Sequence, residues 1–209
     1  MIRNRIPDVV VKRLVTYLRV LRDATLEGGY ISSAQLGDLA AVNGAQVRKD
    51  LALFGEFGKQ GVGYPIKELT EEITRILGAD REIPVALFGV GELGTAIVRY
   101  LSARRRFDPT YRFIVGALFD EDRRKIGNKL EGISINALSE LGKLCPPGEV
   151  KIGILTVPAL AAQEVVEKAV AHGIRGFLNF APVKLRVPPG VRVQQADVTL
   201  ELQELAFYV

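Results

Sequence analysis

Three glycines, Gly89, Gly91 and Gly94, stand in the order G-x-G-x-x-G within FGVGELG, and the acidic Asp120 follows 26 positions after the last of them. This combination suits the binding of a pyrophosphate with an attached ribose. The first glycine permits a tight turn, the second lets the backbone approach the phosphates, and the third lets a helix lie close to a strand. A helix opening at Glu92 would aim its unpaired N–H groups at the anion. Val90, Glu92 and Leu93 belong to the same binding turn. The Asp120 carboxylate can accept hydrogen bonds from ribose hydroxyls and would repel a 2′-phosphate, which favours NAD(H), although the nearby Arg123 and Arg124 weaken that preference.

Glycine spacing alone is a weak signal, so the surrounding elements decide. From Pro84 onward, strand patterns alternate with helical ones. VALF is a short apolar run that ends in the glycine motif, and Glu92 to about Arg105 has helical periodicity. RFIVGALF closes on Asp120, GISI is a weak strand, and VKIGILTV is a strong one that stops at Pro158. AAQEVVEKAVAHG reads as a helix, GIRGFLNF and VRVQQA as strands, and DVTLELQELAFYV as a last helix. Such β-α alternation predicts a Rossmann-type doubly wound parallel sheet with helices on both faces. Ligands bind such sheets at the carboxyl ends of strands. Thr156, Val157 and Pro158, and Asn179, Phe180, Ala181 and Pro182, are therefore candidates for the nicotinamide side of a pocket. Their alternative reading is strand-ending turns with proline as a stop.

Hydride transfer to a carbonyl usually needs a general acid or base, commonly His, Tyr or Lys. The sole histidine, His172, stands at a helix end before Gly173, where a favourable interaction with the helix C-terminus or plain surface explains it. The nucleotide fold consumes the roughly 125 residues after the boundary and leaves little for a substrate domain. Cofactor binding without catalysis is the simpler expectation.

About eighty residues precede the motif. Val11, Leu14, Val15, Leu18 and Leu21 mark an amphipathic helix, with Lys12, Arg13, Arg19 and Arg22 mostly off its buried stripe. Ser32 or Ser33 can cap a second short helix. Asn43-Gly44 signals a turn through tolerance of positive φ, and AQVRKDLALF reads as a third helix with Arg48 and Lys49 outward. Gly55, Gly58, Gly61 and Gly63 then predict a hairpin or extended loop, and Ile66 to Leu77 a fourth helix. Three helices followed by a glycine-rich hairpin outline a winged helix-turn-helix, whose third helix enters the major groove of DNA. The competing explanation is an all-helical packing domain with a solvated charged face. Ser33, Gln46, Arg48 and Lys49 are candidates for contacts around the helix, and Lys59 and Gln60 for the wing.

The composition suits a folded protein: 48% of the 209 residues are hydrophobic and 25% charged. A net charge of +4 hints weakly at an anionic partner; residues 1–80 hold 11 Lys/Arg against 10 Asp/Glu, so neither half is a basic tail. Cys145 has no neighbouring Cys or His, so no metal site is expected. With no apolar run near the ~20 residues of a membrane span and no signal-peptide pattern, a cytoplasmic protein without membrane contact is expected. ADREIP marks the expected boundary, giving a DNA-binding domain over 1–80, a dinucleotide domain over 81–197 and a terminal helix over 198–209.

In order and spacing, QVRKDLALFGEFGKQGVGY, FGVGELGTA, LTVP and GIRGFLNFAP resemble the Rex family of redox-sensing bacterial repressors across nearly the whole chain. The resemblance implies a homodimer on a palindromic double-stranded operator, with the final helix exchanged between subunits. It also implies that NADH binding releases the DNA, with NAD⁺ as the opposing effector. It assigns operator contacts to Arg48 and Lys49, and a relay between cofactor and DNA to Arg19, Tyr100 and Asp197. The sequence departs from the family at Gln60, where relatives carry Arg or Lys in the wing, and at Ala52 and Leu53, which replace a Ser-Tyr pair. A small NAD-dependent oxidoreductase and a CoA-binding protein are the alternatives, the latter because LTVP to NFAP also resembles CoA-binding Rossmann domains.

Overall fold

The computed structural model describes residues 6–24, 29–59 and 61–209. The chain divides into two compact units, Met1–Arg81 and Glu82–Val209.

The first unit contains α1 (Asp8–Ala24), β1 (Tyr30–Ile31), α2 (Ser33–Leu39), α3 (Gly44–Ala52), β2 (Tyr64–Pro65) and α4 (Ile66–Leu77). Leu14, Tyr17 and Leu21 of α1 share one core with Leu36, Val47, Leu51, Leu69 and Ile73. Ser32 closes a capping box on α2, its hydroxyl accepting from the Gln35 N–H while the Gln35 side chain accepts from the Ser32 N–H. The turn to α3 differs from expectation. Its left-handed residue is Ala41, at φ 55°, whereas Asn43 is extended and caps α3 by accepting from the Gln46 N–H at 2.8 Å. Gly44 serves close approach instead: a Cβ there would lie 2.9 Å from the Ser33 carbonyl oxygen. The third helix ends at Ala52, two residues before the expected Phe54.

Arg13 is also corrected. Its guanidinium turns inward and donates to both Asp50 oxygens at 2.6 and 2.7 Å. Only the aliphatic stem had to lie along the helix surface for this to happen, which a periodicity argument does not resolve. In the glycine-rich segment the described residues give one bridge, Lys59 to Gly63, and the chain then enters β2. β2 pairs antiparallel with β1, a two-residue strand too short to announce itself in the sequence. Gln60 lies outside the described residues.

The second unit carries a seven-stranded sheet. Its strands are β3 (Ile83–Phe88), β4 (Phe113–Phe119), β5 (Lys129–Leu130), β6 (Ile133–Asn136), β7 (Ile152–Leu155), β8 (Gly176–Asn179) and β9 (Arg192–Gln195). The helices are α5 (Glu92–Phe107), α6 (Leu141–Leu144), α7 (Ala159–Ala171) and α8 (Val198–Phe207). The sheet order is β5-β6-β4-β3-β7-β8-β9, parallel throughout except for β5 at the edge. Numbered by the parallel strands alone, that is the dinucleotide-fold order 3-2-1-4-5-6. Alternation along β3 sends Ala86 and Phe88 into one core and Val85 and Leu87 into another, so both faces are covered. α7 packs on the first face through Ala162, Val165 and Val166, and α5 on the second through Val98. The crossovers after β4 and β8 contain no α-helix. Cys145 is buried in the first of these cores. No helix among the described residues is long and apolar enough to cross a membrane.

Candidate functional site

The order of strands reverses between β3 and β7, and the loops leaving these two strands bound a cleft at their carboxyl ends. Its volume is about 590 Å³. Gly89 and Gly91 line it from the loop after β3, Asp120 from that after β4, and Thr156, Val157 and Pro158 from that after β7. A smaller adjoining recess is lined by Val90, Gly91, Glu92, Thr95, Arg99 and Lys125. Of the residues marked from the sequence, Gly89, Val90, Gly91, Glu92, Asp120, Thr156, Val157 and Pro158 are brought together around these two recesses.

The glycine turn is held as the motif requires. Gly89 has φ 94°, and a Cβ there would sit 2.7 Å from the Thr156 carbonyl oxygen. A Cβ on Gly94 would collide with the Gly89 carbonyl oxygen, so α5 can meet β3 only without a side chain at that position. Gly91 differs, since a Cβ there would meet nothing in the chain. The space beside it is open. Gly91 caps α5 with no side chain, so the N–H groups of the first turn face that space uncovered. The Thr156 hydroxyl braces the turn from across the switch point, lying 2.7 Å from the Gly89 carbonyl and 3.0 Å from that of Phe88. Leu93 is half exposed on the first turn of α5.

Asp120 is tightly partnered. One carboxylate oxygen accepts from the Val90 N–H at 2.7 Å and from Lys125 Nζ at 3.1 Å, and the other from the Asp122 N–H at 2.8 Å. Burial pushes its carboxyl up, but the bonds from the Asp122 N–H, Lys125 and the Val90 N–H outweigh burial and hold it below the usual range. It is therefore ionised at neutral pH. Arg124, which the sequence set against Asp120, pairs with Asp122 instead and holds that carboxyl down at about 2. The cation beside Asp120 is Lys125, which sequence reasoning missed because the turn after a strand carries no periodicity.

The segment after β8 is arranged differently. Asn179 is fully buried, and its amide donates to the carbonyls of Ala181 and Val183 and to Gln195 while accepting from the Ala181 N–H. That bonding braces the loop. Ala181 is buried, Phe180 half-buried against the α5-side core, and Pro182 exposed. Neither recess is lined by these four residues. His172 caps the end of α7, its Nδ1 2.9 Å from the Lys168 carbonyl, and does not line the cleft. Among the described residues no cluster of metal-ligating side chains occurs.

In the first unit α3 presents Arg48 and Lys49 outward, both exposed, and Arg48 donates to the Ser33 hydroxyl at 2.7 Å. Two of the expected DNA contacts are thus brought together at the junction of α2 and α3. Gln46 is turned partly inward, donating from Nε2 to Asp50 at 2.7 Å. Lys59 is exposed at the bridged turn. Asp50 is almost fully buried on the inner side of α3 and also accepts from the Tyr17 hydroxyl at 2.9 Å. Arg19 is exposed on α1 and Tyr100 on α5, while Asp197 caps α8 by accepting from the Thr199 N–H.

Comparison with known proteins gives a consistent result. A family model described as "Putative DNA-binding protein N-terminus" matches residues 5–52, and one described as "CoA binding domain" matches residues 80–183. The chain is 44% identical over 207 residues to the redox-sensing transcriptional repressor Rex of Brevibacillus brevis, covering 99% of this chain and 98% of the relative. It is 41% identical over 204 residues to that of Roseiflexus sp. strain RS-1, covering 97% of this chain and 90% of the relative. Among solved structures, the protein RSP in complex with beta-NAD+ and operator DNA superposes with a TM-score of 0.87 at 31% identity, covering 97% of this chain and 92% of that one. RSP in complex with beta-NADH superposes with a TM-score of 0.83 at 29% identity, covering 97% and 93%.

Proposed function

Because the chain belongs to the Rex family of redox-sensing transcriptional repressors, we propose that it is a DNA-binding repressor that reads the NADH/NAD⁺ ratio and leaves its operator when NADH binds. The observation that carries the reading is the pairing, in one chain, of a switch-point cleft left open beside Gly91 with a helix that turns Arg48 and Lys49 outward. The dinucleotide's pyrophosphate would lie over Gly91 and the first turn of α5, with the adenosine ribose toward Asp120. Thr156, Val157 and Pro158 would face the nicotinamide half. This reading needs no step of chemistry, since a sensor's cleft has only to bind its ligand, and the sole histidine does not line it.

Operator recognition would follow from α3 in the major groove, with Arg48 and Lys49 toward base edges and phosphates and Lys59 toward the backbone. A two-fold homodimer suits a palindrome, since each subunit then meets one half-site. The apolar residues Leu200, Leu202, Leu205 and Phe207 of α8 are all exposed in the single chain, which supports a second copy as their cover and a role for α8 in dimerisation. Arg19, Tyr100 and Asp197 would take part in the relay once two subunits are joined. A cytoplasmic location follows from binding chromosomal DNA.

NADH can displace DNA only by binding the DNA-incompetent state more tightly, and DNA must then weaken NADH binding by the same factor. A mobility-shift titration on a palindromic operator tests this directly. The expected outcome is a loss of affinity of about 5–150-fold with NADH and little change with NAD⁺. Equal affinity with both dinucleotides refutes the reading. Replacing Arg48 with Ala should weaken the operator complex by about 1–3 kcal/mol through the loss of a bidentate guanine contact. The match to a CoA-binding family favours one further comparison, in which CoA competes for the cleft against NADH. Displacement of NADH by CoA at equal concentration would move the assignment to that ligand.

A further inference from the structure

A helix of nine residues has little with which to fix its own rotation. α3 rests on the core through Val47 and Leu51, and apolar contacts are non-directional, so they resist its lifting away more than its turning in place. Asp50, three residues after Val47 and also buried, supplies direction. An ionised carboxylate offers about four acceptor positions. On Asp50 all are filled: one oxygen accepts from Arg13 Nε at 2.6 Å and the Tyr17 hydroxyl at 2.9 Å, the other from Arg13 Nη2 and Gln46 Nε2, each at 2.7 Å. Arg13 and Tyr17 stand one turn apart on α1, so three of these bonds run to a single neighbouring helix. Two of the three form the planar fork of a guanidinium.

Stability is a weak reason for such an arrangement, since apolar residues of similar volume often hold a core as well as a buried ion pair does. Its distinctive property is geometric. At roughly 100° per residue, Arg48 stands on about the opposite side of α3 from Asp50, and Lys49 about a quarter-turn away. A rotation of about 20° would carry groups at a radius of about 5–6 Å through about 2 Å. A binding constellation tolerates a displacement of about 0.5 Å. Attraction to phosphates depends on charge and survives such a rotation, whereas hydrogen bonds to base edges do not.

Resting on the operator reading of α3, we propose that Asp50 is a positioning residue for sequence recognition: its four bonds fix the rotation of α3 against α1, and with it the direction in which Arg48 and Lys49 meet base edges. Gln46 serves the same tie through its amide nitrogen. The network bears on which sequence is bound far more than on whether DNA is bound.

The test removes the tie and keeps the fold. In the full chain, Arg13→Met, Tyr17→Phe and Asp50→Val together put apolar groups of similar total volume in place of the network, leave the net charge unchanged and strand no buried charge. Gln46, half-buried, is left to bond water. The probes are a palindromic duplex that the wild-type protein selects from a randomised pool and a shuffled duplex of the same composition, compared at one salt concentration. The triple variant should melt at or above the wild-type temperature and bind the shuffled duplex unchanged. On the selected duplex it should lose about 10–100-fold, the equivalent of one or two base contacts. A folded triple variant that keeps the wild-type ratio of the two affinities, or loses equally on both duplexes, would overturn the assignment. Wild-type protein that selects no sequence would instead overturn the operator reading of α3. Should the triple variant not fold, Arg13→Lys, which keeps the charge and loses the fork, carries the test: the ratio should fall, and an unchanged ratio overturns the proposal.

Discussion

At the scale of single residues, two glycines of one motif have opposite duties. Gly94 is required by the protein, because a Cβ would strike the Gly89 carbonyl oxygen, whereas Gly91 has open space where a Cβ would stand. Gly94→Ala should therefore cost roughly 1–3 kcal/mol of stability, as overfilling a packed contact does. Gly91 has φ −81°, which alanine adopts freely, so Gly91→Ala should cost under about 1 kcal/mol while weakening NADH by an order of magnitude or more. Thermal melts beside NADH titrations check the pair, and equal destabilisation of both would refute the division of labour. The glycines, Asp120 and Thr156 were legible because each closes a strand or opens a helix. Lys125 was not, since a turn imposes no period, and Asn179 was legible only as a position. That its amide is spent on Ala181, Val183 and Gln195 depends on a loop whose path no local pattern encodes.

The elements of the first unit are joined by a charge that hydrophobic periodicity hides. Asp50 of α3 is 1% exposed and is bonded by Arg13 and Tyr17 of α1 and by Gln46 one turn earlier. The sequence gives no sign that residues 37 apart form a buried pair, because Arg13 keeps its stem on the surface while its head turns in. Burial pushes the Asp50 carboxyl up, but the bonds from Arg13, Gln46 and Tyr17 prevail and hold it below its ordinary value of 3.8. Since the folded value lies below the unfolded one, the stabilisation is complete above about pH 4 and is lost as pH falls through the folded value. The α1–α3 contact should thus loosen in acid, read as faster amide exchange in α3. Asp50→Ala strands a partly buried guanidinium and a buried hydroxyl, and should cost about 3 kcal/mol in urea unfolding, the low end for a buried pair because Arg13 is 21% exposed. A loss below 1 kcal/mol would show that the network contributes little. The central strands β3, β4, β7 and β8 were easier to read, since cover on both faces leaves each as a largely apolar run bounded by glycine, proline or a charge. The two-residue β1 and β2 lack the length for any such signal.

For the whole molecule, α8 is the element that a single chain leaves unfinished. It has ten residues and buries none of them, too little for a helix to be stable in water on its own. Removing residues 198–209 should convert the protein to a monomer in analytical ultracentrifugation. The palindromic operator would then be held by single half-sites, with affinity lower by a factor of about 10²–10⁴. A truncated chain that remains a dimer would assign dimerisation to another surface. The lone sulfhydryl, that of Cys145, is 1% exposed, and burial and the charge of Glu149 push its pKa up. A protonated, enclosed thiol is a poor target for peroxide or disulfide exchange. Redox state would reach this protein as the occupancy of a cleft, reset by dissociation alone, with no covalent mark for a reductase to erase.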